Sequence, residues 1–332
     1  MKNILEKLKQ ETILVLGWKG FVGKNLCDYL EKHEISFFRN NEWDDLRNKE
    51  QVQIMFETFL PTLVLNCSGR TYGIAGNVKF PVDLLEENLL IQYNLMTVGF
   101  LNNVNITSIG AGCAYPEQER DLTEDDLWNG LPQKDSICYS LTKSMLSLHA
   151  MAYKRQYPQS RFNPKVIVPG NIYGPYDMFD LDYAHVIPAL VHKAVLYKKN
   201  QKSIFEIWGR EKAERSFLYV EDFIKAMLLV AINGFKGDTY IYSNPESVKL
   251  GEVVQVLAEI ADIKERDIIW NTLPAFDGQI KRSFNIHKIM RLKDSSAIKN
   301  FTFLSKGLRN TFDYLMNAKD ARLKIKNQFK KI

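Results

Sequence analysis

Three groups of residues in this chain have types and spacings suited to chemistry. The first is Tyr139 and Lys143 in "YSLTK". Four residues apart on a helical stretch, they lie on one face. A lysine ammonium beside a phenol favours the phenolate, so a tyrosine of lowered pKa is expected. Such a phenol can pass a proton to or from a carbonyl or alcohol oxygen while a hydride moves. Taken alone, the spacing also arises by chance between two ordinary helix residues. The second group is the loop "GWKGFVG", Gly17 to Gly23. The third is Cys113 in "SIGAGCAYP", a thiol among small residues where a buried strand ends in a tight corner.

The glycine loop follows the apolar run "TILVLG" and opens a helical pattern with Phe21, Val22, Leu26 and Leu30 on one face. Gly17 permits a tight turn, and Gly20 lets a pyrophosphate approach the backbone. Gly23 lets helix and strand pack closely, and the helix N-terminus at Phe21 and Val22 faces the anion. Strand, glycines and helix in this order predict dinucleotide binding; the alternative is a structural turn without a ligand. An NAD site usually has an acid at the end of the second strand, on the ribose 2′-hydroxyl. Here that strand ends "FFRNN", with Arg39 in place of the acid and Lys19 inside the glycine loop. Two cations favour a 2′-phosphate, and hence NADP(H) over NAD(H).

The elements that must position these groups alternate. Strands are expected at 12–17, 35–38, 62–67, 105–110 and 165–174, the last running into a loop. Helices are expected after Gly20 and over 51–59, 84–101 and 136–157. This alternation predicts an α/β fold, a Rossmann-type doubly wound parallel sheet covered on both faces. The expected division is a cofactor-binding domain over 1–174, with strands from about 216–244 returning to it, and a smaller α/β substrate lobe over 175–332.

Bulk composition agrees with a globular protein. The chain has 332 residues, 45% hydrophobic and 25% charged, with a net charge of +5 spread over many acids and bases. That balance gives little reason to expect nucleic acid, and the basic end "RLKIKNQFKK" reads as a solvated helix and tail. The longest apolar stretch, "FIKAMLLVAING", is too short to span a bilayer and carries Lys225. Cys27, Cys67, Cys113 and Cys138 form no CxxC pair, which suggests a reducing compartment. The charged start lacks a signal core, so a cytoplasmic protein without membrane contact is expected. No metal-ligand cluster is expected.

These motifs together resemble the extended short-chain dehydrogenase/reductases, and within them the GDP-L-fucose synthase family. The resemblance runs from the glycine loop to about Asp222, and more faintly to about Ile286. "GRTYGIAGN", "ENLLIQYNLM", "CAYP", "YSLTK", "NIYGPYDMF", "HVIPAL" and "WGREKAERSFLYVED" carry it. Family members reduce a 4-ketone with NADPH after inverting the adjacent carbons 3 and 5. The resemblance implies that Tyr139 and Lys143 serve the reduction and that Cys113 and His185 serve the epimerisation. A carbon beside a ketone is acidic because its anion is an enolate. One group removes its proton from one face and another returns a proton to the other. Cys113 suits the base if a positive charge lowers its pKa, and His185 suits the acid. Each is also a residue type with ordinary structural uses: a buried inert thiol, a core or surface histidine.

One departure stands out. The family has a serine two residues before the cysteine, donating to the reacting oxygen; here Ala111 stands there and Gly112 replaces a second serine. Losing one preorganised donor typically costs on the order of 3 kcal/mol. Another donor such as a water substitutes, or the reduction is slow or lost, or the space admits a bulkier sugar such as a heptose. The persistence of Tyr139, Lys143 and the cofactor loop favours a working reductase with an altered substrate. Rival readings are a single-activity reductase or 3,5-epimerase, and a non-catalytic nucleotide-binding protein.

For the substrate, Asn171, Lys193, Trp208 and Arg215 match family contacts to a GDP-linked keto-sugar. Lys193 replaces the usual arginine and binds phosphate as a point charge, without the bidentate fork. Lys281 or Arg282 is a further candidate. The family pairs its two long helices in a four-helix bundle, so a homodimer is implied.

Overall fold

The computed structural model describes residues 1–41, 44–116, 118, 120–271 and 281–318. The charged start forms helix α1 (Lys2–Leu8), which buries Ile4 and Leu8. Strand β1 (Ile13–Leu16) leads into helix α2 (Phe21–Lys32) and strand β2 (Phe38–Arg39). Helix α3 (Lys49–Phe59), capped by the Asn48 side chain, precedes strand β3 (Leu63–Asn66). Two helices follow, α4 (Ile74–Lys79) and the long α5 (Pro81–Leu101), then strand β4 (Asn105–Ile109). Helix α6 (Ile137–Gln156) returns the chain to strand β5 (Asn163–Pro169).

The remainder begins with β6 (Asn171–Tyr173), α7 (Val186–Lys198), β7 (Phe205–Trp208), β8 (Glu214–Arg215) and β9 (Phe217–Tyr219). Helix α8 (Val220–Asn233) and strand β10 (Thr239–Tyr242) come next. Then follow β11 (Val248–Lys249), α9 (Leu250–Ala261), β12 (Ile268–Asn271), β13 (Lys281–Arg282), α10 (His287–Met290) and α11 (Leu304–Asn317).

Six strands form one parallel sheet in the order β10-β5-β4-β3-β1-β2. Strands β1 and β3 are buried along their whole length, as expected when helices cover both faces. Alternate side chains divide between two cores. Ile13, Val15, Leu63 and Leu65 join α2 and α8 on one face; Leu14, Leu16 and Val64 join α3 and α5 on the other. The apolar run around Lys225 lies in α8, at the centre of the first core. A third cluster packs α7, α9 and α11 around Phe205, Ile207 and Phe217. Among the described residues, no helix is long and apolar enough to cross a membrane. The basic end of the chain lies outside the described residues.

Two strands differ from expectation. The second is only Phe38–Arg39, and it pairs with β1 along one edge. Glu34 takes a left-handed turn, and the Ile35 amide bonds back to Leu30. Residues 35–37 are therefore spent leaving α2. The stretch 165–174 holds two strands, divided at Gly170. A Cβ there would lie 2.2 Å from the Ser243 hydroxyl, so the chain passes β10 closely and β6 pairs with β9 instead.

Gly17 is the tightest point of the sheet. Its φ is +71°, and a Cβ would lie 2.6 Å from the Cys67 carbonyl carbon and oxygen and the Ser68 nitrogen. Both the left-handed backbone and the backbone contact exclude a side chain. Gly17→Ala is expected to destabilise the protein by about 2–4 kcal/mol, read as a lowered thermal unfolding midpoint.

Candidate active site

The chain runs from β1 outward to β2, then crosses back to β3 on the other side of β1. The sheet reverses direction there, and in open parallel sheets ligands sit in that crevice beyond the strand ends. Gly17, Cys67, Gly110 and Gly170 leave β1, β3, β4 and β5 at these ends.

Gly20 caps the N-terminus of α2, as anticipated. A Cβ there would meet only the Gly17 carbonyl oxygen, at 3.3 Å, so a phosphate can approach the backbone and the helix amides. At Gly23 a Cβ would lie 2.2 Å from that same oxygen; this glycine serves helix–strand packing. Phe21 and Val22 pack their side chains on the first core while forming the first turn of α2. Lys19 and Arg39 converge on Trp18, each 5.4 Å from its ring, and the Trp18 indole donates to the Asn40 carbonyl at 2.8 Å. Arg39 also pairs with Glu31. That pair is exposed, so it exchanges readily for a phosphate dianion. Glycine cradle and paired cations fit a dinucleotide bearing a 2′-phosphate.

The corner that holds the thiol is a 3-10 turn, Gly112–Ala114, entered from β4 through Ala111. Ala111 is buried. At Gly112 a Cβ would press on the Phe284 ring at 3.0 Å and the Pro169 carbonyl oxygen at 3.2 Å, which explains its lack of a side chain. Helix α6 packs against this turn and supplies Tyr139 and Lys143. The Lys143 ammonium donates to the Ile109 carbonyl at 2.9 Å and lies 5.7 Å from the Tyr139 ring. Burial lowers the Lys143 pKa to about 8, opposed by the thiolates that Cys113 and Cys67 can form.

The expected lowering of the Tyr139 pKa does not hold in this geometry. Burial holds the phenol above its ordinary value, and Cys113 pushes the same way. Lys143 is drawn toward the β4 carbonyl, and its charge does not offset the loss of water.

Sequence reasoning does not single out Asn88, although "ENLLIQYNLM" contains it. Buried Asn88 on α5 clamps the loop after β3: its Nδ2 donates to the Arg70 carbonyl at 3.0 Å, and its Oδ1 accepts from the Arg70 amide at 3.0 Å. An asparagine inside an apolar helix was the available signal, since a buried amide needs partners. The Arg70 guanidinium completes the clamp by pairing with Glu87 at 2.8 Å.

His185 caps α7 without a side-chain cap bond. It keeps solvent-exposed surface, yet the protein packed around it lowers its pKa by desolvation. Its segment docks on the Thr71 loop: the Gly73 amide donates to the Tyr183 carbonyl at 3.1 Å, and a Cβ on Gly73 would sit 3.1 Å from the Ala184 carbonyl oxygen. Farther along α7, Lys193 donates to the Glu206 carbonyl at 2.9 Å and lies 5.0 Å from the Trp208 ring. Asn171 is exposed at the start of β6, with its amide bonded to the Ser216 carbonyl beside Arg215. Arg215 donates to the Glu214 carbonyl at 2.8 Å and pairs in register with Arg282 across β8 and β13. The side chains of Lys281 and Arg282 lie outside the described residues. Tyr139, Lys143 and Cys113 thus form one group, and Lys193 with Trp208 a second. The α7 segment carries His185 from the second toward the first.

The sequence profile of the NAD dependent epimerase/dehydratase family matches residues 13–243. The chain belongs to this family. Within the epimerase/dehydratase family it is an extended short-chain dehydrogenase/reductase resembling GDP-L-fucose synthase. It is 29% identical to GDP-L-fucose synthase of Dictyostelium discoideum, over 90% of this chain and 92% of that protein. It is 28% identical to GDP-L-colitose synthase of Yersinia pseudotuberculosis, over 93% of this chain and 99% of that one. A GDP-L-fucose synthetase from Naegleria fowleri, solved with NADP bound, has the same fold, with a TM-score of 0.84 and 24% identity over 93% of each chain.

The desolvated Lys143 has a stability consequence. Its pKa is near 8 folded and near 10.5 unfolded. Between those values the unfolded chain binds more protons, so stability rises with pH there and the buried charge opposes folding at neutral pH. Lys143→Met is expected to raise stability without cofactor by about 1–2 kcal/mol at pH 7. That advantage should shrink as pH rises from 8 toward 10.5 in thermal unfolding series.

Proposed function

We propose that this protein is an NADP-dependent sugar-nucleotide enzyme that reduces the 4-keto group of a GDP-linked 4-keto-6-deoxy sugar and epimerises the carbons beside it. The observation that carries the reading is the meeting of Tyr139, Lys143 and Cys113 at the strand ends beside an open glycine cradle. NADPH, when bound, supplies the hydride. Tyr139 gives the proton to the carbonyl oxygen as it becomes an alcohol; its raised pKa keeps it protonated at neutral pH. Lys143, charged below about pH 8, stabilises the phenolate that remains. Cys113 takes the proton from carbon and His185 returns one on the other face. The names of the relatives support GDP as the carrier. Lys193 serves the diphosphate, and Asn171, Trp208 and Arg215 line the rest of the nucleotide. Lys19 and Arg39 serve the 2′-phosphate. Residues 1–174 with β10 form the cofactor-binding part, and the cluster of α7, α9 and α11 forms the substrate lobe, in the cytoplasm.

The test is a proton NMR time course with GDP-4-keto-6-deoxymannose and NADPH in deuterated water. Deuterium entering carbons 3 and 5 together with NADPH consumption is expected. Cys113→Ser should slow deuterium entry at least about a hundredfold. Consumption without exchange would leave a pure reductase and a structural thiol. If neither occurs, this substrate is wrong, and a keto-heptose is next.

A homodimer is also part of this reading. Helices α5 and α6 pack side by side and expose Leu90, Tyr93, Leu141 and Met145, an apolar surface suited to a second copy. The double variant Tyr93→Glu, Leu141→Glu is expected to sediment as a monomer where the parent sediments as a dimer.

A further inference from the structure

The two cations of the cofactor site come from different elements. Lys19 lies in the glycine loop after β1, and Arg39 ends β2, the edge strand that pairs with β1. Both side chains are exposed, so burial fixes neither. Two like charges brought together repel, and long exposed side chains swing apart into water unless something gathers them. Yet both stand 5.4 Å from the centre of one ring, that of Trp18.

Trp18 is itself held. It is half-buried and packs against the core that α2 and α8 form. Its indole nitrogen donates to the Asn40 carbonyl at 2.8 Å, which ties the glycine loop to the end of β2. The ring therefore bridges the element that supplies Lys19 and the one that supplies Arg39. A cation within about 6 Å of an indole centre is attracted by the electron-rich face of the ring. Phe37 adds a second ring, 5.0 Å from the Arg39 guanidinium.

We propose that Trp18 is a positioning residue that sets the preference for NADP(H) over NAD(H): its ring gathers Lys19 and Arg39 into one site for the 2′-phosphate. The inference rests on the reading of these two cations as the 2′-phosphate contacts. A dianion offsets two neighbouring positive charges, and side chains already gathered lose less freedom when it arrives. NAD(H) has a hydroxyl at that position and gains nothing from gathered cations. The glycine cradle, which receives the pyrophosphate of either dinucleotide, takes its shape from backbone contacts at Gly17 and Gly23. The benefit of the Trp18 ring therefore falls on one cofactor and not the other.

The test measures Kd for NADPH and for NADH by titration calorimetry on the full chain, so no sugar is needed. Trp18→Leu is expected to raise Kd for NADPH about fivefold to thirtyfold while Kd for NADH moves less than about twofold. Trp18→Phe, which keeps a ring without the indole donor, should fall between Trp18→Leu and the parent. In the double variant Lys19→Met, Arg39→Met, where NADPH binding is already weakened, adding Trp18→Leu should change neither constant. Equal weakening of both cofactors by Trp18→Leu, or no weakening, would overturn the inference. Should Trp18→Leu fail to fold, Trp18→Phe decides: a loss confined to NADPH supports the inference, and any other result overturns it. If Lys19→Met, Arg39→Met lowers the preference for NADPH and the Trp18 variants do not, the inference falls and the reading of the two cations stands. If the double variant leaves the preference intact, that reading falls and the inference with it.

Discussion

The ends of β1 and β3 approach so closely that one backbone touches the other. Gly17 has no Cβ, and a Cβ would fall 2.6 Å from the Cys67 carbonyl group. Much of the site depends on that approach. It turns the chain into the glycine cradle and aims α2 at the phosphate position. It also fixes where the loop carrying Gly69, Arg70 and Thr71 begins. Because the sheet switches direction between these strands, the two loops border one crevice.

A second constraint is electrostatic. The Lys143 ammonium is largely withdrawn from water and satisfied by the Ile109 carbonyl, with Gly69 close by: a Cβ there would lie 3.6 Å from the Lys143 nitrogen. Its charge opposes folding near neutral pH, yet it lies near a phenol and two thiols that become anions on losing a proton. Sites of this kind hold charge where water would otherwise solvate it, and the rest of the fold offsets the loss. Tyr139 shows the balance directly. Desolvation outweighs the nearby cation, so the phenol stays protonated and suited to giving a proton away.

The lobe built on α7, α9 and α11 contributes less through its core than through one segment. Residues 180–185 dock on Gly73 and start α7, which also carries Lys193 beside Trp208. One element thus connects Lys193 and Trp208 with His185 at its start. The loop after β3 is held by α5 on one side and by this segment on the other.

Local patterns in the sequence determined much of this protein. The apolar runs with glycine after them specify β1 and its cradle, because strand burial and tight turns depend on adjacent residues. The spacing of Tyr139 and Lys143 places both on one face of α6 through helical geometry alone. Arg39 was readable as a strand-end residue and Lys19 as part of the glycine loop, although the edge strand itself is shorter than its apolar run. Tertiary structure alone decided the rest. The Asn88–Arg70 clamp joins α5 to the loop after β3, and no periodicity encodes it. The direction of the Tyr139 pKa follows from how much protein surrounds the ring, a three-dimensional quantity. The division of 165–174 into β5 and β6 depends on Ser243 lying against Gly170, and the sequence near Gly170 carries no trace of that neighbour.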